Sequence, residues 1–339
     1  MTWSRLLLRQ RIGLRFGVLA AIGAALVAGT GFTSSPAAPK VTCGGRPATI
    51  AGTQGPDALT GTPGNDVIAG LGGNDSINGG GGDDVICGGA GDDSLGGGSG
   101  DDKVFGDAGD DVLTGADGDD GLSEGPGNDR VSGGAGNDRL YGGAGDDALD
   151  GGEGTDIAFF STAAGGVTVY LAAGTGNGEG ADILSGVEDV TGSNFDDTLT
   201  GDEGPNYLYG SAGNDRLVGG GGDDILSGGP GDDAFDGGAG ADLALYASAK
   251  AGVAVDLTAG RASGGAGSDT LAEVENVTGS DFADTLKGGP GPNVLDAGKG
   301  KDTIDAADGA ADTVDGGPGK DRARVDKGKD RVRNVETLL

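Results

Sequence analysis

Aspartate recurs every nine residues, at Asp57, Asp66, Asp75, Asp84, Asp93, Asp102, Asp111, Asp120, Asp129, Asp138, Asp147 and Asp156, without an insertion. Two residues before each stands a glycine, from Gly55 and Gly64 through Gly154. Two residues after each comes an aliphatic slot: Leu59, Ile68, Ile77, Ile86, Leu95, Val104, Leu113, Leu122, Val131, Leu140, Leu149 and the weaker Ala158. A fixed short period of this kind specifies a repeat architecture, in which each unit buries its apolar residue only by stacking on its neighbours.

The register returns at Asp197, Asn206, Asp215, Asp224, Asp233 and Asp242, and again at Asp284, Asn293 and Asp302. After a one-residue slip it continues at Asp312, Asp321 and Asp330. Two related spacers separate the arrays. Val-Thr-Val-Tyr-Leu at 167–171 matches Val-Ala-Val-Asp-Leu at 253–257, and each alternates as a half-buried strand does. Val-Glu-Asp-Val-Thr-Gly-Ser at 187–193 matches Val-Glu-Asn-Val-Thr-Gly-Ser at 274–280.

The unit Gly79-Gly80-Gly81-Gly82-Asp83-Asp84-Val85-Ile86-Cys87 fits the nonapeptide GGxGxDxUx, and on it the chain resembles the RTX, or hemolysin-type, calcium-binding proteins. The resemblance runs from about residue 52 to the carboxyl end. It implies an all-β fold, a right-handed parallel β-roll or β-solenoid loaded with calcium, in three repeat arrays joined by two strand-containing spacers. It also implies that two nonapeptides make one coil and that calcium lies in the turns between successive coils. Asp66 would then share an ion with Asp84, and Asp75 with Asp93. The expected calcium ligands are the twelve aspartates from Asp57 to Asp156, then Asp197, Asp215, Asp224, Asp233, Asp242, Asp284, Asp302, Asp312 and Asp321. By the same eighteen-residue rule Asp102 has partners on both sides, in Asp84 and Asp120, whereas Asp156 has only Asp138.

Elementary chemistry points the same way. Glycine permits the positive φ angles that let turn carbonyls face inward, and calcium accepts six to eight hard oxygens in adaptable geometry. The chain carries 54 acidic and 22 basic side chains, a net charge of -32, which repels nucleic acid and anionic lipid and makes a cation the natural partner. Aromatic residues are only 4 % of the chain and glycine fills 79 positions, too little bulk for a large globular core. Metal binding and folding are therefore expected to be one event.

The amino terminus reads as a targeting segment. Arg5, Arg9, Arg11 and Arg15 precede an apolar stretch over 16–28 and then small residues through Ala38, so residues 1–37 are expected to be a secretory signal peptide, cut after Ala28 or Ala37. In an exported chain Cys43 and Cys87 are expected to pair as a disulfide. Ile50 and Val41 continue the aliphatic register backwards from Leu59, so residues 38–51 read as a metal-free cap. The remaining divisions are a first β-roll at 52–158, a spacer at 159–196, a second roll at 197–244, a spacer at 245–283, and a third roll with its carboxyl cap at 284–339.

Other chemistries fit poorly. Adjacent carboxylates such as Asp83-Asp84 and Asp110-Asp111 suggest a glycosidase pair, but they recur with the repeat, and the first member of each is expected to be solvated surface. No GxxxxGK[ST] string accompanies the glycine runs. The chain has no histidine, which excludes HExxH zinc sites and histidine-based triads, and no stretch is left over for a catalytic domain. The outward slots Ala58, Val67, Ser76, Val85, Ser94 and Lys103 do not form the threonine array of an ice-binding coil. The expected function is non-enzymatic: a secreted, extracellular, calcium-dependent structural protein of the cell surface or matrix, with neither a nucleic acid nor a small-molecule substrate as partner. Alternatives are a calcium-dependent adhesin for a carbohydrate or protein, favoured if Phe105, Tyr141 and Tyr209 are exposed, and an accessory module of an extracellular hydrolase.

Overall fold

The computed structural model describes residues 41–339, so the expected signal peptide lies outside the described residues. Each nonapeptide forms one strand that starts just after its aspartate, as in Ser76–Gly81, Val85–Ala90, Ser94–Ser99 and Lys103–Ala108. Consecutive strands belong to different sheets. Ser76–Gly81 pairs in parallel with Ser94–Ser99, setting Ile77 opposite Leu95, and Val85–Ala90 pairs with Lys103–Ala108, setting Ile86 opposite Val104. One coil is therefore eighteen residues, two nonapeptides, and the chain is a parallel β-solenoid.

The first sheet holds fifteen strands, from Ile50–Ala51 to Arg331–Arg333. The second runs from Ala58–Thr60 to Thr337–Leu338. Each aliphatic slot points between them, so Ile68, Ile86, Leu122, Leu140, Leu208 and Leu226 face Leu95, Leu113, Leu149, Leu199 and Leu217 in one buried core that passes through all three arrays. The core is two side chains thick, which is why so few aromatic residues suffice.

The spacers join this core as strands, with the expected alternation: Val167 and Val169, like Val253 and Val255, are buried. Their pairing is more elaborate than a single strand. In the second sheet Ala148–Glu153 pairs with Ala181–Ser185, which pairs antiparallel with Thr175–Asn177, which pairs antiparallel with Thr168–Tyr170, which pairs in parallel with Thr198–Thr200. The second spacer repeats the plan with Ser268–Ala272, Arg261–Gly264 and Val253–Asp256. Each meander adds two strands to one sheet only, widening it by about 10 Å at the usual interstrand spacing. Phe160 and Tyr246, buried at matching places in the two spacers, supply the bulk that this widening requires.

The amino-terminal cap agrees with the register at Ile50, which pairs with Ile68, but not at Val41. Gly44 and Gly45, both at positive φ, turn Thr42–Cys43 back on Arg46–Pro47 as an antiparallel hairpin. That hairpin lies on the outer face of the first sheet, where Cys43 packs with Ala69 and Val85, and with Val41 and Phe105 at the edge. Cys43 and Cys87 are disulfide-bonded, with Cα atoms 5.7 Å apart.

Candidate functional site

The turns of successive coils stack their aspartates into two inner rows. In one, the N–H of each aspartate donates to Oδ1 of the next: Asp57 to Asp75 at 2.8 Å, then Asp93, Asp111, Asp129 and Asp147 in order. In the other, Asp66 donates to Asp84 at 2.7 Å, and Asp102, Asp120, Asp138 and Asp156 follow. The expected partners Asp66–Asp84 and Asp75–Asp93 are thus adjacent, and Asp102 has its two neighbours. The later arrays rebuild both rows, through Asp197, Asp215 and Asp233, through Asn206, Asp224 and Asp242, through Asp284, Asp302 and Asp321, and through Asn293 and Asp312. The one-residue slip appears as nineteen-residue steps at Asn293–Asp312 and Asp302–Asp321 and breaks no bond.

With Oδ1 so used, Oδ2 is buried without any hydrogen-bond partner in seventeen of these aspartates and in Asp269, among the described residues. Such repeated orphaned carboxylate oxygens call for a cation, because a buried charge left unpaired is costly. The space beside them fits one. A Cβ built on Gly79 would fall against Asp84 Oδ2 and the Gly97 carbonyl of the next coil, and Gly70 and Gly115 face their own Asp75 and Asp120 in the same way. Each cradle therefore offers carboxylate and carbonyl oxygens from two coils, the hard donor set calcium takes. The backbone is shaped for it: four residues before the aspartate φ is positive, at Gly80, Gly89, Gly98, Gly134 and Gly220, and even at Leu71, Asp107, Ala116 and Ser211.

Burial raises the interior carboxylates well above the ordinary aspartate range: Asp93, Asp102, Asp129 and Asp156 to about 6, and Asp120, Asp215, Asp224 and Asp233 to about 7, with neighbouring aspartates adding to the shift.

The first member of each row is built differently. Asp57 Oδ2 accepts from the Thr53 N–H and hydroxyl, Asp66 Oδ2 from those of Thr62, and Asp197 and Asp284 accept from the N–H and hydroxyl of Ser193 and Ser280. Asn206 and Asn293 Oδ1 accept from the N–H of Asp202 and Gly289. These turns close on themselves through the residue four places ahead of each aspartate or asparagine. At Asp66 the Thr62 N–H is the main influence holding the carboxyl below its usual range.

Row ends hold residues outside the nine-residue register. Asp147 donates to Asp182, Asp233 to Asp269, Asp156 to Glu188 Oε2 at 2.8 Å, Asp242 to Glu275 and Asp321 to Glu336. Asp156 therefore has a second partner, thirty-two residues on, that the eighteen-residue rule does not contain. For Asp182 and Asp269 a signal exists, since Gly180-Ala181-Asp182-Ile183-Leu184 and Gly267-Ser268-Asp269-Thr270-Leu271 keep the Gly-x-Asp-x-aliphatic order. The outer aspartates Asp83, Asp92, Asp101 and Asp110 are exposed as expected, yet they too form ladders: Asp101 donates to Asp83 and Asp110 to Asp92.

The profile of a known repeat family agrees with this geometry. The profile of the RTX calcium-binding nonapeptide repeat (4 copies) matches residues 49–70, 60–95, 88–122, 125–158, 191–226, 209–244, 278–311 and 307–332, together more than half of the chain. A search of curated proteins finds no match. Among solved structures, a hyperactive, Ca2+-dependent, beta-helical antifreeze protein from an Antarctic bacterium aligns at 16% identity and a TM-score of 0.22, over 84% of this chain and 81% of that one. The chain is a calcium-binding member of the RTX nonapeptide-repeat family.

Proposed function

We propose that the interior aspartates hold calcium in the gaps between coils, that the chain is exported, and that it serves as a calcium-stabilised structural element of the cell surface or matrix. The observation that carries this reading is the set of eighteen buried, unpartnered Oδ2 atoms aligned along the coils. Outside a cell calcium is plentiful enough for weak sites, and the leader-like residues 1–37 fit export. A non-catalytic role belongs to the same reading, because both segments outside the repeat register are themselves strands of the solenoid.

The aromatic residues on which an adhesive role depends are not exposed: Phe105, Tyr141 and Tyr209 lie half-buried in one outward row of the first sheet, Phe105 against the cap hairpin and Tyr141 stacked on Phe159 with ring centroids 4.7 Å apart.

The test is to express the full chain in an export-competent host, determine the amino terminus of the extracellular form, and record its far-ultraviolet circular dichroism in chelator and in about 10 mM calcium. A processed chain outside the cell that gains β-signal with calcium supports the reading. An unprocessed chain retained inside the cell overturns export, and identical spectra overturn the calcium-dependent structural role.

A further inference from the structure

Glu124 departs from the repeat. It stands where Gly106 and Gly142 stand in the coils before and after, five residues ahead of the aspartate, in the slot whose missing side chain opens the cradle elsewhere. The glutamate side chain does not escape to solvent; Glu124 is 0% exposed. Oε1 accepts the Gly143 N–H at 2.7 Å, and Oε2 is buried with no donor. Asp129 Oδ2 and Asp147 Oδ2 are buried and unpartnered beside it, and one carboxylate oxygen from each of the three residues lies within 4.8 Å of the others. Gly143 is also absent from the positive-φ set to which Gly125, Gly134 and Gly152 belong, so its N–H turns toward Glu124.

Two roles are open to an acid in this place: to fill the gap in a cation's stead, or to bind the cation as an extra ligand. A filler would leave fewer orphaned oxygens than a glycine does. Glu124 leaves one more, and brings three carboxylates together where neighbouring gaps converge fewer. Three carboxylates at such separations in a buried site need a counter-charge or a shared proton, and a cation that displaces the proton pairs all three.

We propose that Glu124, Asp129 and Asp147 form a three-carboxylate cation site, distinct from the other gaps of the solenoid, that binds calcium more tightly than they do and favours trivalent lanthanides further. The inference rests on the calcium reading of the rows. A third anionic ligand in a rigid turn raises calcium affinity, by about tenfold or more. This gap fills first on titration and empties last on chelation, making the middle of the first array the point from which calcium-driven ordering spreads.

The experiment uses the full chain, Glu124→Gly and Glu124→Gln, titrated with calcium alone and with terbium alone against a chromophoric chelator of known affinity. Glu124→Gly installs the residue of the flanking coils, and Glu124→Gln keeps the side-chain shape. The expected result is one tight ion equivalent in the unaltered chain, at least about tenfold tighter than the rest, lost in both variants while the weaker sites persist. A titration of the unaltered chain with no separate tight equivalent overturns the proposal. So do variants that retain it, or a Glu124→Gly chain that gains an ion. Failure of the unaltered chain to bind any calcium would instead strike the reading of the rows as a whole.

Discussion

Replacing Asp102 by alanine perturbs two gaps at once. Its Oδ1 accepts the Asp84 N–H at 2.8 Å, its own N–H donates to Asp120 Oδ1 at 2.8 Å, and its Oδ2 is buried without a partner. With calcium at about 10 mM and dissociation constants of about 0.1 to 1 mM, each ion bound only by the folded chain contributes about 1.4 to 2.7 kcal/mol. Loss of two ions therefore costs about 3 to 5 kcal/mol, and the Asp84 N–H left without its acceptor adds about 1 to 3 kcal/mol. Asp66→Ala is the contrast. Asp66 faces one gap, toward Asp84, and its other oxygen is held by Thr62, so at most one ion is lost and the remaining damage does not depend on calcium. Asp156→Ala should behave like Asp102→Ala, because Glu188 supplies the partner on its far side. The assay is urea unfolding at about 1 and 10 mM calcium, followed by circular dichroism. The calcium-dependent part of the loss should be about twice as large for Asp102→Ala and Asp156→Ala as for Asp66→Ala. Equal calcium-dependent losses for all three would refute shared sites and favour diffuse neutralisation of an acidic coil.

Protons should compete with calcium. The folded-state values of about 7 for Asp120, Asp215, Asp224 and Asp233 lie above the unfolded value of 3.8, so the metal-free fold is penalised fully above about pH 7 and relieved as pH falls toward about 4. Accordingly the chain in chelator should gain β-signal as pH falls from about 7.5 to about 4.5, as protons take calcium's place on the buried carboxylates, and no gain would count against carboxylate repulsion as what unfolds the metal-free chain. Ala116 holds φ 88° in a slot that glycine fills at Gly80, Gly98 and Gly134, so Ala116→Gly should stabilise the calcium form by about 1 kcal/mol in denaturant titration. Gly98→Ala, at φ 115° with its Cβ against the Gly80 carbonyl, should do the opposite. Replacing Cys43 and Cys87 by serine opens a closure of 44 residues and should cost about 4 kcal/mol, read as a lower unfolding midpoint; an unchanged midpoint would mean that the hairpin is held by packing alone.

The nine-residue period made the solenoid legible because one aspartate, one glycine and one aliphatic residue recur in positions that only stacked strands can satisfy together. It also placed the interior ligand candidates, from Asp75 to Asp156 and on to Asp321, in contiguous rows. What it did not contain was pairing beyond the period. Asp182, Glu188, Asp269 and Glu275 reach their rows across spacers of 32 to 36 residues, and local spacing is silent on such contacts. The cap misled at Val41 because Gly44-Gly45 favours a hairpin over another coil.

The self-closing turns were legible in principle. Thr53, Thr62, Ser193 and Ser280 each stand four residues before their aspartate, where the interior turns have a residue at positive φ, and serine and threonine hydroxyls compete for backbone and side-chain partners in tight turns. A period locates a carboxylate in its turn; it does not say whether a cation or an N–H meets its second oxygen. Glu124 shows the same limit, since its place in the register was visible but its burial was not.

Anomalous diffraction from crystals grown in calcium or soaked in terbium locates the ions themselves. Peaks are expected between successive interior aspartates, in the gaps Asp84–Asp102, Asp93–Asp111 and Asp215–Asp233, and none on the Thr53 and Thr62 sides of Asp57 and Asp66. Peaks confined to the exposed ladder of Asp83 and Asp101, or none at all in a chain that folds without calcium, would contradict the account.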